Sequence, residues 1–169
     1  GFYKQIRAEL ERNELLKATF PDVLYADPRK DSPRWNDEGL IVKRKSNPKE
    51  DSLSSWGLID GQPTSKHFKL RVYDDIVTRE NVTTPEQVQK TTEALALSDN
   101  LGMIGGREWY IGTRYGYGDT YQAIIDREAV KVRIYPATEN GLREGKPVFL
   151  SVAEWEKKKR TQTPRSLAC

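Results

Sequence analysis

The sequence predicts an α/β fold built on a largely parallel sheet with crossover helices. Three observations predict it. Strand, helix, strand, helix and strand patterns follow one another from Lys69 to Tyr135, which is the order that parallel strands with helical crossovers require. Phe68, Leu70 and Val72 alternate with Lys69 and Arg71, the period of two expected of a strand. Thr84-Pro85-Glu86-Gln87 carries the signals of a helix start: a capping threonine, a proline at the first helical position and a glutamine able to close a capping box.

Taken in order, residues 2–19 are expected to form one amphipathic helix. Ile6, Leu10, Leu15 and Leu16 can share a face, and Phe20-Pro21-Asp22 ends the pattern. Residues 26–39 are loop, with Pro28, Pro33 and many charges. Leu40-Ile41-Val42 starts a short strand, and Leu53 to Ile59 is read as another. Lys69 to Ile76 forms the next strand, with Asp74-Asp75 at its end and Tyr73 breaking the alternation just before them. The helix opened by Thr84 runs to about Asp99 and stops at Asn100-Leu101-Gly102. Glu108 to Thr113 is a strand that leads into the glycine-rich loop from Gly112 to Gly118, after which Asp119 can cap a helix to about Arg127. Val130 to Tyr135 alternates apolar and basic residues as a half-exposed strand does, Asn140-Gly141 is a turn signal, and Ser151-Val152-Ala153-Glu154 is a second capping box.

Composition narrows the chemistry. The chain has 169 residues, a net charge of +3, a single cysteine (Cys169) and a single histidine (His67). A disulfide framework, a cysteine zinc site and a two-histidine metal site are thereby excluded within the chain, and a reducing, intracellular setting is expected. No run approaches the roughly 18–20 apolar residues of a membrane span, and no signal-peptide pattern opens the sequence. Gly1 falls inside a helical pattern and Leu167-Ala168-Cys169 has no terminal cap, so both ends are expected to be cuts in a longer chain.

In parallel α/β sheets, ligands bind beyond the carboxyl ends of the strands. Two groups of residues fall there. Adjacent carboxylates at Asp74-Asp75 suit a magnesium nucleotide site, one holding the hard cation or its waters and the next orienting and deprotonating a water. Successive strand side chains point to opposite faces, so the two can differ in role; the plainer alternative is a turn. The Gly112–Asp119 loop can offer backbone amides to phosphate or simply connect strand to helix, and Tyr115 and Tyr117 can stack on a base or pack. His67 with Ser65 or Ser54 would be a nucleophile–histidine pair without a third member. The run Lys157-Lys158-Lys159-Arg160 can touch DNA phosphate or be a solvated helix face. A phosphate loop of the form Gly, four residues, Gly-Lys-Ser/Thr is absent: five residues after Gly61 stands Lys66.

Taken together, these segments resemble the large terminase subunit of tailed phages and prophages. Asn13-Glu14-Leu15-Leu16-Lys17, Phe20-Pro21-Asp22 and Trp35 are similar to the part that follows the phosphate loop. The stretch FKLRVYDDIVT, residues 68–78, with Glu80-Asn81 after it, resembles the Walker B strand. Ile111-Gly112-Thr113-Arg114-Tyr115 with Asp119 and Tyr121 resembles the coupling motif, and Trp155 to Ala168 the start of the connection to a nuclease domain.

The resemblance implies an incomplete P-loop NTPase-like core, with residues 1–150 a partial packaging-motor domain and 151–169 the start of the connection. Its first strand and phosphate loop would precede Gly1, and its nuclease would follow Cys169. Asp74 would be the magnesium carboxylate, Asp75 the catalytic base, and Gly112, Thr113 and Arg114 the γ-phosphate sensor that couples hydrolysis to DNA movement. Mg2+ and ATP, double-stranded DNA, a portal protein, a small terminase subunit and further copies of the motor are the implied ligands and partners, in the cytoplasm of a bacterial host. Two departures stand out: Asp75 takes the place of the usual glutamate, and Lys69 and Arg71 sit in a strand that is ordinarily apolar throughout. A non-enzymatic DNA-binding or assembly module from a degenerate prophage gene is the alternative. A nuclease using Asp74 and Asp75 lacks the further carboxylates such sites need.

Overall fold

The computed structural model describes residues 2–128 and 130–162. It is a mixed α/β structure with two small sheets, one of them a parallel pair. The chain divides into two compact units, one of residues up to Val72 with Ala94–Trp109, the other of Tyr73–Glu93 with residues from Tyr110 onward. No helix among the described residues is long and apolar enough to cross a membrane.

In the first unit the expected helix over residues 2–19 is two, α1 (Phe2–Arg12) and α2 (Glu14–Thr19). The break is at Asn13, whose side chain accepts the Leu16 amide at 2.9 Å and so caps α2. An asparagine inside a helical pattern competes for backbone donors in this way. A one-turn helix α3 (Pro28–Asp31) follows, and then an antiparallel pair, β1 (Gly39–Leu40) and β2 (Leu53–Ser54), which places Leu40 opposite Leu53. The strand expected from Leu53 to Ile59 therefore stops after two residues. Tyr3, Leu24 and Leu40 are buried. The Tyr3 hydroxyl donates to the Asn36 carbonyl at 2.9 Å, and Trp35 Nε1 donates to Glu11 at 3.1 Å, which ties α1 to the loop before β1. Asp51 is held by Arg34 and Lys66, at 3.1 and 3.4 Å.

β3 (Phe68–Asp74) and β4 (Gly102–Ile111) are the parallel pair, and α4 (Pro85–Ser98) with a 3-10 turn (Asp99–Leu101) leads from one to the other. Arg71 meets Glu108 and Tyr73 stacks on Tyr110. Both pairs rise together along the two strands, as a parallel register requires. Thr84 caps α4 through the Gln87 amide at 3.4 Å. The basic residue at position 71 is now accounted for. Its side chain is 9% exposed and its guanidinium is taken up by Glu108, the Ser98 carbonyl and Asp99 at 3.6 Å. A charge this sheltered persists in a strand only when it is paired.

In the second unit, α5 (Thr120–Asp126) is capped by Asp119, and α6 (Val152–Thr161) by the full Ser151–Glu154 capping box. The core is Tyr73, Val77, Tyr121, Ile124 and Trp155, with Thr91, Thr120 and Thr138 buried among the polar residues. The Thr92 and Thr120 hydroxyls share a hydrogen bond of 3.0 Å. Asn140-Gly141 turns as expected, with Gly141 at φ +69 and Thr138 bridged to Pro147.

The strand expected at Val130 to Tyr135 is not formed. The segment is irregular, with Ile134 and Tyr135 exposed. Alternation of apolar and basic residues describes a strand only where another strand is there to pair with it, and among the described residues none pairs with this segment. The largely parallel sheet of the sequence reading is thus a single parallel pair. The expected connection from Trp155 to Ala168 is helical as far as Thr161, and its residues from 163 on lie outside the described residues.

The α6 cap gives a direct test of these contacts. Ser151 accepts the Glu154 amide at 3.3 Å, and Glu154 accepts the Ser151 amide at 3.0 Å. Ser151→Ala is expected to lower unfolding stability by about 1 kcal/mol in urea titrations, whereas Ser151→Thr stays near the parent. The Ser151 hydroxyl, followed by its amide, also holds the Glu154 carboxyl below its usual range.

Candidate functional site

β3 ends at Asp74, and the next residue turns the chain sharply. Asp75 has φ +47, in the left-handed region, which aspartate tolerates better than most residues. Its amide donates to the Ile111 carbonyl at 2.9 Å and so closes the ladder between the two strand ends. The expectation that Asp74 and Asp75 alternate along one strand is corrected: only Asp74 is in the strand. The carboxylates still have different settings, one on the strand and one on the turn.

The segment after them is pinned. Val77 is 1% exposed. Asn81 receives the Thr78 amide on its side-chain oxygen and donates from Nδ2 to the Ile76 carbonyl, both at 2.8 Å. A hydrogen bond from the Thr78 side chain, above all, holds the neighbouring Glu80 carboxyl below its usual range. Asp74 and Asp75 themselves are exposed, and among the described residues neither carboxylate is held in an ion pair.

Gly112, Thr113 and Arg114 follow directly on β4, so the structure brings them to the end of the strand next to Asp74-Asp75. Asp119 builds the loop. Its carboxylate is 1% exposed and accepts the Gln122 amide at 3.0 Å, the Tyr115 amide at 3.1 Å and the Gly116 amide at 3.4 Å. Arg114 Nε lies 3.8 Å from the same carboxylate. The reading in which this loop offers its amides to phosphate is corrected in part, because the amides of Tyr115 and Gly116 already serve Asp119. Tyr117 is fully exposed.

Tyr121 is the residue that the sequence pattern named without giving it a role. Its ring is buried in the first turn of α5, and its hydroxyl donates to the Ile111 carbonyl at 2.9 Å. Burial pushes the phenol up to about 12, against hydrogen bonding from the Ile76 and Val77 backbone and with a further push from the Asp75 and Asp119 charges. The phenol therefore sits among the turn after β3, the end of β4 and the Asp119 cap. A methyl group at Gly112 would overlap the Tyr121 hydroxyl, so that position accepts no side chain without displacing the tyrosine. Glycine followed nine residues later by a tyrosine just inside a capped helix was the available signal.

The described residues form no closed metal cage at this edge. Among the described residues no group of three or more acidic, histidine or cysteine side chains converges, but magnesium is commonly held by one or two carboxylates with waters and phosphate oxygens completing the shell. Asp74 and Asp75 supply two such oxygen groups. The remaining candidates lie elsewhere. Lys157, Lys158 and Arg160 are exposed on α6, while Lys159 is engaged by Glu156 and Glu144. The hydrogen bond that Lys159 donates to Glu156, first, keeps its ammonium charged beyond its usual range. His67 is exposed, and its amide donates to Glu50 at 3.1 Å.

Neither a scan against protein-family models nor a search of the curated proteins finds a match for this chain.

Gly112→Ala tests the close approach. It is expected to destabilise the chain by roughly 1–3 kcal/mol, the usual cost of forcing an extra methyl into a filled space. Gly116, with open space around its α-carbon, is the control position for the same change. Equal urea midpoints for the two alanine variants would contradict the packing described.

Proposed function

We propose that this chain is the middle portion of a DNA-packaging motor of the large-terminase type, a magnesium-dependent ATPase that drives double-stranded DNA into a viral shell. The observation that supports this reading most is the meeting of two strand ends on a parallel pair. Asp74-Asp75 follow β3 and Gly112-Thr113-Arg114 follow β4, and the Asp75 amide bonds to the Ile111 carbonyl at 2.9 Å. Ligands of parallel α/β sheets are bound at this edge. The same ordered motifs carry the sequence resemblance, and together they favour a P-loop NTPase-like core over an unrelated parallel pair.

In this reading Asp74 would hold Mg2+ through an ionised oxygen, directly or through water. The ion, when bound with nucleotide, neutralises charge on the phosphates. Asp75, raised on its left-handed turn, orients a water and takes its proton. Thr113 and Arg114 lie where a γ-phosphate would be sensed, and the rigid Asp119 cap gives that sensor a fixed base. The phosphate cradle itself is supplied by sequence other than this chain. Exposed Lys157, Lys158 and Arg160 are the cations available to DNA, with Lys159 less so. A portal protein, a small subunit and further motor copies are the partners that this reading entails.

The test separates the two aspartates in the full-length motor. Asp75→Asn is expected to leave nucleotide affinity near the parent and reduce ATP turnover by roughly 100-fold, as for loss of a positioned base. Asp74→Asn is expected to weaken magnesium-dependent nucleotide binding instead. If Asp74-Asp75 is only a turn, asparagine serves as well; unchanged turnover in both variants would therefore refute the assignment.

A further inference from the structure

We infer that Tyr121 is a positioning residue of the proposed site, a clamp whose hydroxyl holds the Asp75 turn and the Gly112 loop in one register. This rests on the motor reading for its catalytic consequence but not for its geometry. The Ile111 carbonyl receives the Asp75 amide and the Tyr121 hydroxyl, each at 2.9 Å. Ile111 is the last residue of β4 and Gly112 the first of the sensing loop. Gly112 has no room for a side chain because the phenol oxygen occupies the space. The Ile76 and Val77 backbone, just past Asp75, and the Asp75 charge also act on the phenol electrostatically. One hydroxyl thus meets both strand ends.

The ring is buried by its own packing, and α5 is secured independently by the Asp119 cap and the Thr92–Thr120 hydrogen bond. Phenylalanine would keep that packing and remove only the clamp. A shift of the Gly112 loop on engaging a phosphate would move the Ile111 carbonyl and the phenol with it, and so would move the turn that carries Asp75. The motor's base and its sensor are then mechanically one element, and Tyr121 contributes by placing Asp75, without touching substrate.

Two measurements test this. Amide hydrogen exchange of the 169-residue chain is compared for the parent, Tyr121→Phe and Thr92→Val. Tyr121→Phe is expected to speed exchange at Asp75 by roughly 5–10-fold, the effect of losing one hydrogen bond, with α4 unchanged. Thr92→Val, which removes a nearby bond outside the clamp, is expected to leave Asp75 at the parental rate. In the full-length motor, Tyr121→Phe is expected to lower kcat at least tenfold with KM for ATP within about twofold, the signature of a displaced group and not of lost binding. Parental exchange at Asp75 in Tyr121→Phe overturns the clamp. Parental kcat in an active motor overturns the positioning role and leaves the motor reading standing. Absence of ATP hydrolysis in the unsubstituted protein overturns the motor reading, and the clamp is then decided by exchange alone.

Discussion

The carbonyl of Ile111 accepts two hydrogen bonds at 2.9 Å, one from the Asp75 amide and one from the Tyr121 hydroxyl. The turn after β3, the end of β4 and the first turn of α5 meet at that oxygen. Parallel strands joined by a helix bring their carboxyl ends to one edge, but nothing in the ladder dictates what the chain does after the last pair. Here the Asp75 bond carries the pairing one residue past β3, where the backbone has already turned into the left-handed region. The tyrosine then fixes the distance between the turn and the loop. Asn81 and the buried Val77 hold the far side of the turn, and Asp119 holds the far side of the loop. A backbone conformation of this kind persists where its surroundings over-determine it, and such places are often functional.

The strands leading to that edge are unusual for a parallel pair. Leu70, Val72 and Trp109 are each about half exposed, whereas parallel sheets are ordinarily covered on both faces. Arg71 shows how the opposite face manages charge: Glu108 and Asp99 supply opposite charge, and the Ser98 carbonyl accepts a hydrogen bond. Breaking this arrangement by removing Glu108 would leave a sheltered guanidinium with less compensation, which is costlier than the pair is stabilising. The polar residue that looked misplaced in a strand pattern is thus part of what joins β3 to the end of α4.

Local signals in the sequence were legible where the physics is local. The caps at Thr84, Asp119 and Ser151 each depend on one side chain and one nearby amide, and each forms as its pattern predicts. The start of α4 at Pro85 follows for the same reason, whereas β3 stops at Asp74, two residues short of the expected Ile76. Features that depend on distant partners were less legible. Alternation at Val130 to Tyr135 looked like a strand, but no neighbouring strand pairs with it among the described residues. The break at Asn13 lay hidden in a continuous apolar pattern because asparagine caps as readily as it interrupts. At the candidate site, the pattern found the carboxylates and the glycine loop. It could not show that Asp119 would claim two of the loop's amides, or that Tyr121 would fill the space beside Gly112. The Tyr121 contact is a three-dimensional consequence of the helix folding back on the strand end, whereas the Asp119 contacts span only three and four residues.

The proposed function requires that the turn after β3 and the loop after β4 act as one site for a hard divalent cation. The most direct measurement is paramagnetic broadening of backbone amide signals by Mn2+, standing in for magnesium, in the parent chain and in Asp74→Asn. The account predicts that the amides of Asp74 to Ile76 and of Ile111 to Thr113 broaden together at the lowest Mn2+ concentrations and that Asp74→Asn abolishes the effect at both. Broadening confined to one strand end, or centred on acidic residues elsewhere in the chain, would contradict it.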